Sequence, residues 1–473
     1  MSPLSIQPLS PLDGRYQAQV AALSEHLSEA GLNRARVQVE IEWLIHLTEY
    51  QLFGSRRLTA DEVQQLRAIV TDFDDDDVDD LARREAVTRH DVKAVEYFVR
   101  DKLTAVGLSD LAELTHFACT SEDINNLAYA LTIRLAVTDV WMPRARAVIE
   151  TLRTQALALR DQPMLAHTHG QPATPTTVGK ELAVVVYRLE MLLASVEEVE
   201  YRGKFSGATG TFSAHLAADP DHDWISASRA FVTGLGLTWN PLTTQIESHD
   251  WQAQLYQRIA HFGRVLHNLC TDVWSYISMG YFRQIPHPGA TGSSTMPHKI
   301  NPIRFENAEA NLELSAALLD SLAATLVTSR LQRDLTDSTT QRNVGVALGH
   351  SLLALDNIQR GLGEIAVDPG ALARDLDGNW EVLGEAIQTV IRAEVAAGRS
   401  SISDPYALLK ELTRGHRVGA EEMREFITTL DVSADAKARL LVLTPHAYVG
   451  VASRLVDFID PTVAKVGASP TAD

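Results

Sequence analysis

Residues 289–302 read GATGSSTMPHKINP, from Gly289 to Pro302, and they separate two long stretches of helical periodicity. Before them Leu255, Ile259, Phe262, Leu266, Leu269, Val273 and Tyr276 step by four and three, and after them Leu312, Ala316, Leu319, Ala323 and Leu326 do the same. The stretch itself has two glycines, adjacent serines and little side-chain bulk, which predicts an exposed loop. Pro297 and Pro302 bracket His298, Lys299 and Asn301, and a helix is expected to start near Pro302, where a proline fits the first turn. Free backbone N–H groups of the loop would then lie near a helix N-terminus, a favourable place for an anion.

Working outward, Val178, Leu182, Val185, Leu189, Leu192 and Val196 form a further stripe, and Val344, Leu348, Leu352 and Leu355 another. Five long helices are expected, strand-period alternation is scarce, and the fold class read from this pattern is all-α. The middle of the chain, 120–364, reads as a bundle of long helices; 1–119 reads as a first helical domain and 365–473 as a smaller one, broken by Pro369, Gly378, Gly398, Pro405, Gly415 and Pro445. Much of the long helices is apolar on more than one face, which predicts burial against other subunits.

The 473 residues suffice for a large core. Lys plus Arg number 42 against 61 Asp plus Glu, a net charge of −19, which argues against nucleic-acid and anionic-membrane surfaces but leaves room for a small anion in a local basic pocket. Cys119 and Cys270 suit neither a disulfide framework nor a zinc site. The opening MSPLSIQPLSPLDGRY lacks the features of a signal peptide and no run reaches membrane-spanning length, so a cytoplasmic protein is expected.

Several short segments admit two readings. Asp13-Gly14-Arg15-Tyr16 is a turn whose Arg-Tyr pair can equally grip a phosphate. The acidic run 72–80 lacks the ligand alternation of a calcium loop and reads as a solvated helix start, so no metal is expected there. Arg89-His90-Asp91 opens a helix and can also hold an anion. Thr120-Ser121-Glu122-Asp123 reads as a helix cap with an acidic first turn, and as a seat for a carboxylate or phosphate. In His167-Thr168-His169-Gly170-Gln171-Pro172-Ala173-Thr174-Pro175 the two histidines are expected to share one face of an extended segment, before a helix capped at Thr174 or Thr176. That pattern suits a hydrolase metal site or a general acid or base, and the chain lacks the strand-rich barrel the metal reading needs.

Three of these segments, TSEDIN at 120–125, HTHGQPATP at 167–175 and GSSTMPHKINP at 292–302, resemble in order the signatures of the fumarase/aspartase superfamily. PLDGRY at 11–16, RHDVKAVEYF at 89–98, TTQIESHDW at 243–251, RDLTDST at 333–339 and KELTRGHRV at 410–418 resemble the branch that acts on succinylated purine nucleotides, in its longer bacterial form. The resemblance implies β-elimination of fumarate from adenylosuccinate and from succinyl-aminoimidazole carboxamide ribotide. It assigns Ser293 as the general base and His169 as the general acid. Lys299, Asn301 and the loop N–H groups around Ser293 and Ser294 would hold the carboxylate that gains charge. Arg15, Tyr16, Arg89, His90, Asp91, Thr120, Ser121, Gln245, Asn307, Arg333, Ser338 and Arg342 would hold the nucleotide, with His90 either orienting the phosphate or assisting the acid.

The same resemblance implies a homotetramer whose sites are shared between subunits. Elimination needs no hydride or electron carrier, so neither cofactor nor metal is expected. Two residues depart from the branch: Leu331 stands where an aromatic is expected, and Arg304 where an acid is common. The competing readings are another fumarate-releasing lyase, such as one acting on argininosuccinate, and a catalytically silent structural relative.

Overall fold

The computed structural model of the chain describes residues 8–286, 296, 299–412 and 418–463. Two compact units make up the chain: one draws on residues 1–146, 192–267 and 308–356, the other on 147–191, 268–307 and 357–473. The architecture is all-α, as the stripes predict, with the long helices Val178–Glu197, Asp250–Ser278, Ile303–Leu326 and Val344–Gly363. A further long helix, Met142–Ala158, has no counterpart among the stripes read from the sequence. It continues Ser121–Leu135 through a π-helical turn at Ala136–Trp141, which seats the Trp141 indole, Nε1 to Ser351 Oγ at 2.8 Å. Strand is confined, among the described residues, to three two-stranded pairs.

In the second unit the antiparallel hairpin Pro163–Thr168/Gln171–Thr177 leads into the Val178–Glu197 helix. That helix is capped at Thr177, whose Oγ1 accepts from the Lys180 amide at 3.2 Å, rather than at Thr174 or Thr176, which the strand keeps extended. Residues 380–440 gather Trp380, Leu383, Ile387, Ile391, Met423 and Leu440 into a small core of their own.

In the first unit the Glu29–Glu49 helix is central. Ser28 caps it by accepting from the Gly31 amide at 3.1 Å, and Val37, Val39, Ile41, Trp43, Leu44 and Leu47 are buried around its whole circumference. A helix apolar on all sides belongs inside, and each such side chain contributes about 2 kcal/mol on burial. The acidic run forms a helix start, as expected: Asp74 accepts from the amides of Asp76 and Asp77 at 3.0 and 3.1 Å.

An aromatic cage grows from Trp43. His46 stacks on it with ring centroids 5.5 Å apart and meets Tyr50 and Phe231, while His215 sits among Phe205, Phe212 and Trp224. Nε2 of His46 and both ring nitrogens of His215 have no hydrogen-bond partner among the described residues. Burial pushes both imidazoles down, each to about 4. The unfolded chain takes up these protons near pH 6.5, the folded chain only near 4, so the unfolded state binds more protons between and stability falls as pH drops through that window. The loss is on the order of 3 kcal/mol for each ring. Thermal melts followed by circular dichroism should give a Tm that is flat above pH 7 and falls between about pH 6.5 and 4, with part of the fall removed in His215→Phe.

Candidate active site

Four of the residues expected to hold substrate, Asp91, Gln245, Arg333 and Arg342, are joined in the first unit through hydrogen bonds that span the chain. Asp91 Oδ2 accepts from Arg36 Nη2 at 2.7 Å and from Arg342 Nη2 at 3.2 Å, and Arg342 Nη1 donates to Glu29 at 3.0 Å. Burial would raise the Asp91 carboxyl, but Arg36 and Arg342 outweigh it and hold its pKa below the usual carboxylate value. Arg36 Nε donates to Asn125 Oδ1 at 2.9 Å, and Asn125 Nδ2 to Glu122 Oε1 at 3.0 Å. Glu122 also accepts from Arg333 Nη2 at 2.9 Å, and Arg333 Nη1 reaches Gln245 Oε1 at 3.3 Å.

His90 caps the Asp91–Ala105 helix: its Nδ1 accepts from the Lys93 amide at 3.2 Å, which puts the proton of the neutral ring on Nε2, 3.4 Å from Ser121 Oγ. Thr120 starts the Ser121–Leu135 helix, its amide donating to Asp123 Oδ2 at 2.8 Å. Ser338 lies on the short Thr336–Gln341 helix, its amide on Asp337 Oδ1 at 2.7 Å. Arg89 ends the preceding helix with a left-handed φ of 51°, and Arg15 lies 5.8 Å from the Tyr16 ring at the start of Gln17–Leu27. Arg333 Nε has no hydrogen-bond partner among the described residues, and about a third of the Arg342 side chain faces solvent. Such guanidinium groups, held by carboxylates on one edge, present donors for a phosphate or carboxylate on another.

His169, Lys299, Asn301 and Asn307 belong to the second unit. His169 and Gly170 are the two turn residues of the hairpin, both with positive φ, 54° and 71°. Turns of that hand match the twist of the strands, and glycine accepts the second position without strain. His169 is exposed at the tip while His167 lies within the strand, so the two histidines do not share a face, contrary to the reading from spacing. The shared-face reading required both residues to be extended, and the turn removes one of them. His167 Nε2 lies 3.9 Å from Asp375 Oδ2, which also accepts from the Tyr281 hydroxyl; Leu165 packs on Leu376 and Val382 beside it.

The Ile303–Leu326 helix starts where expected, with the Pro302 carbonyl accepting from Phe305 and Glu306. Lys299 is exposed just before it, and Asn307, on its first turns, accepts from Asn357 Nδ2 at 2.9 Å. Arg304 joins the same group, reaching Asn357 and Glu364 at 3.4 Å. Leu331 is 89% exposed with a φ of 52°. The proposed base Ser293 lies outside the described residues, as do Ser294, Pro297, His298 and residues 413–417 of KELTRGHRV.

Sequence reasoning missed Arg36, and did not give Glu122 or Asn125 a role. The signal for Arg36 was an arginine flanked by Leu32, Ala35, Val37 and Val39, on a part of the helix too apolar to tolerate an unpaired charge. Arg36→Ala removes one of the two arginine partners of Asp91 and the donor to Asn125 Oδ1, and is expected to destabilise the protein by about 3 kcal/mol in urea melts and to raise the KM for substrate about tenfold or more.

The family described as Lyase matches residues 14–314, and the one described as Adenylosuccinate lyase C-terminal matches 329–449. The adenylosuccinate lyase of Escherichia coli (strain K12) is 47% identical over 455 residues, which cover 96% of this chain and 98% of that one. Its counterpart from Vibrio cholerae serotype O1 is 46% identical over 452 residues, 95% of this chain and 98% of its own. The crystal structure of 3-carboxy-cis,cis-muconate lactonizing enzyme from Pseudomonas putida aligns with a TM-score of 0.71 at 22% identity, over 92% of this chain and 95% of that one, a likeness of fold. With both family matches spanning the segments that build the network, and near end-to-end identity to these relatives, the chain belongs to the adenylosuccinate lyase family.

Proposed function

We propose that the chain cleaves adenylosuccinate to AMP and fumarate, and succinyl-aminoimidazole carboxamide ribotide to aminoimidazole carboxamide ribotide and fumarate. The observation that carries this reading is the joining of Asp91, Gln245, Arg333 and Arg342, from separated segments, into one hydrogen-bonded network in a member of this family. A nucleotide phosphate and a succinyl group both need charge-assisted donors held in fixed geometry. Arg15, Tyr16, Arg89, His90, Thr120, Ser121, Asn307 and Ser338 complete the grip on substrate.

The chemistry follows from the acidity of the bond to be broken. A carbon-bound proton beside a carboxylate is weakly acidic, so removing it requires the charge to pass into that carboxylate and be held there. Ser293 takes the proton; Lys299 and Asn301, with the loop amides, receive the charge; His169 protonates the departing nitrogen. His169 stands at a hairpin tip, where its ring can enter a cleft formed elsewhere. No step consumes or supplies electrons, so full turnover after exhaustive chelator treatment is the expected result.

The chain acts as a homotetramer with shared sites. On the Val178–Glu197 helix Val184, Tyr187 and Met191 are 43%, 49% and 54% exposed at helical spacing, an apolar stripe suited to a second copy. In chain order, 1–119 brings the phosphate-holding segment, 120–364 the three signature segments and 365–473 the Asp375 support beneath the hairpin. No helix among the described residues is long and apolar enough to cross a membrane, and a cytoplasmic location suits the substrates.

Absorbance change on adding adenylosuccinate, with fumarate identified as product, tests the reaction; turnover of argininosuccinate alone would overturn it. Ser293→Ala should lower kcat by on the order of a thousandfold with substrate affinity within a few-fold of wild type. Dissociating equal amounts of inactive His169→Ala and Ser293→Ala proteins and reassociating them should restore activity at about a quarter of sites, because each site would draw the two residues from different chains. Mixed tetramers that form and stay inactive would place both residues on one chain.

A further inference from the structure

His249 and Asp337 form a buried pair that the chemistry above does not use. His249 is 1% exposed with a φ of 61°, and its Nε2 lies 3.5 Å from Asp337 Oδ2. Neither atom has a hydrogen-bond partner among the described residues. A non-glycine residue in left-handed backbone is strained, and a buried polar group without a full partner is costly as well. Such costs persist where the arrangement serves something else.

What the pair joins is informative. Segment 240–249 and segment 332–338 meet at three points: Thr244 Oγ1 donates to the Gln332 carbonyl at 2.9 Å, Arg333 Nη1 to Gln245 at 3.3 Å, and His249 faces Asp337. The first two contacts are open to solvent or partly so, whereas the third is closed off from it. On the His249 side, the Glu247 carboxylate holds the His249 amide at 2.8 Å and Asn240 Nδ2 at 2.9 Å, which stiffens the segment. On the other, Asp337 Oδ1 holds the Ser338 amide at 2.7 Å, so one carboxylate meets the histidine with one oxygen and orients Ser338 with the other.

We propose that His249 and Asp337 are positioning residues for substrate binding: the buried pair sets the register between Gln245 on one segment and Arg333, Ser338 and Arg342 on the other. This rests on the reading of those four residues as substrate holders. A histidine reaches across the gap where a shorter residue would not, and brings its Nε2 within 3.5 Å of Asp337 Oδ2. A register error between the two segments would misplace donors for the bound nucleotide while leaving the acid and base untouched, so the pair should act on affinity more than on turnover.

Two variants separate this role from plain stability. His249→Asn keeps a residue that tolerates left-handed backbone but cannot reach Asp337. Asp337→Asn keeps the shape and the acceptor for the Ser338 amide but removes the carboxylate charge that faces Nε2, and it is the variant least able to disturb folding. Each folded variant is expected to raise the KM for adenylosuccinate about tenfold or more with kcat within about threefold, and the double variant should be no worse than the weaker-binding single. A lowered Tm with KM within twofold of wild type, or KM effects that multiply in the double variant, would overturn the proposal and leave the function standing. A wild-type protein that releases no fumarate from adenylosuccinate would remove both.

Discussion

Asp123 and Lys204 are both fully excluded from solvent, 2.8 Å apart, and the rest of the first unit is arranged around them. Two buried charges are costly unless every remaining donor and acceptor is used. Most are used here: Asp123 accepts from the amides of Thr120 and Ser206 at 2.8 Å and of Gly207 at 3.1 Å, and Lys204 Nζ also donates to the Gly207 carbonyl at 3.2 Å. Gly207 makes this closure with a φ of 82°, where a side chain would be strained. Asn126 fastens the same segment from the other side, its Oδ1 accepting from the Lys204 amide at 2.8 Å. The pair therefore fixes where the Ser121–Leu135 helix begins. Glu122 and Asn125 inherit their positions from that start, and Arg333 and Arg36 inherit theirs from Glu122 and Asn125. A structural ion pair thus sets the coordinates of the proposed binding site.

The long helices were legible because apolar residues recurring at steps of three and four match the helical period and no strand period, and the helix starts at Thr120 and Pro302 because capping and proline chemistry are local. The Met142–Ala158 helix carries a stripe of the same kind, with Met142, Ala145, Ile149, Leu152 and Ala156 buried at steps of three and four, and was legible on the same grounds. The hairpin turn escaped because left-handed turn positions are usually read from Asn or Gly, and here the first is His169. The signature segments pointed to chemistry correctly at the level of family. Their pairing partners could not be read, because Arg333 and Glu122 stand 211 positions apart and no periodicity links them.

The two halves of the proposed machinery differ in how they are supported. The charged residues proposed to hold substrate lie in a hydrogen-bonded network, while His169 projects from a two-residue turn supported by the Leu165 packing and the contacts of His167 with Asp375 and Tyr281. Binding of a highly charged substrate rewards donors fixed in advance. Proton transfer late in the reaction tolerates, and can require, a group that swings into place once the site has closed. The departures at Leu331 and Arg304 follow the same division: Leu331 faces solvent, whereas Arg304 reinforces the Asn357 contact to Asn307.

Neither unit is contiguous in the chain, and this bears on how the protein is made. The first unit receives its last stretch, 308–356, only after much of the second has been synthesised, and the Arg342–Glu29 bond closes a separation of 313 positions. Contacts of such range are slow to form and leave apolar surface waiting in the nascent chain, a state that invites chaperones. A chain that terminates before residue 330 would carry Glu29, Asp91 and Glu122 without two of their three arginines. Such a fragment would keep the repelling half of the proposed anion site and lose most of the attracting half, so on that reading truncated products would not compete for nucleotide with finished ones.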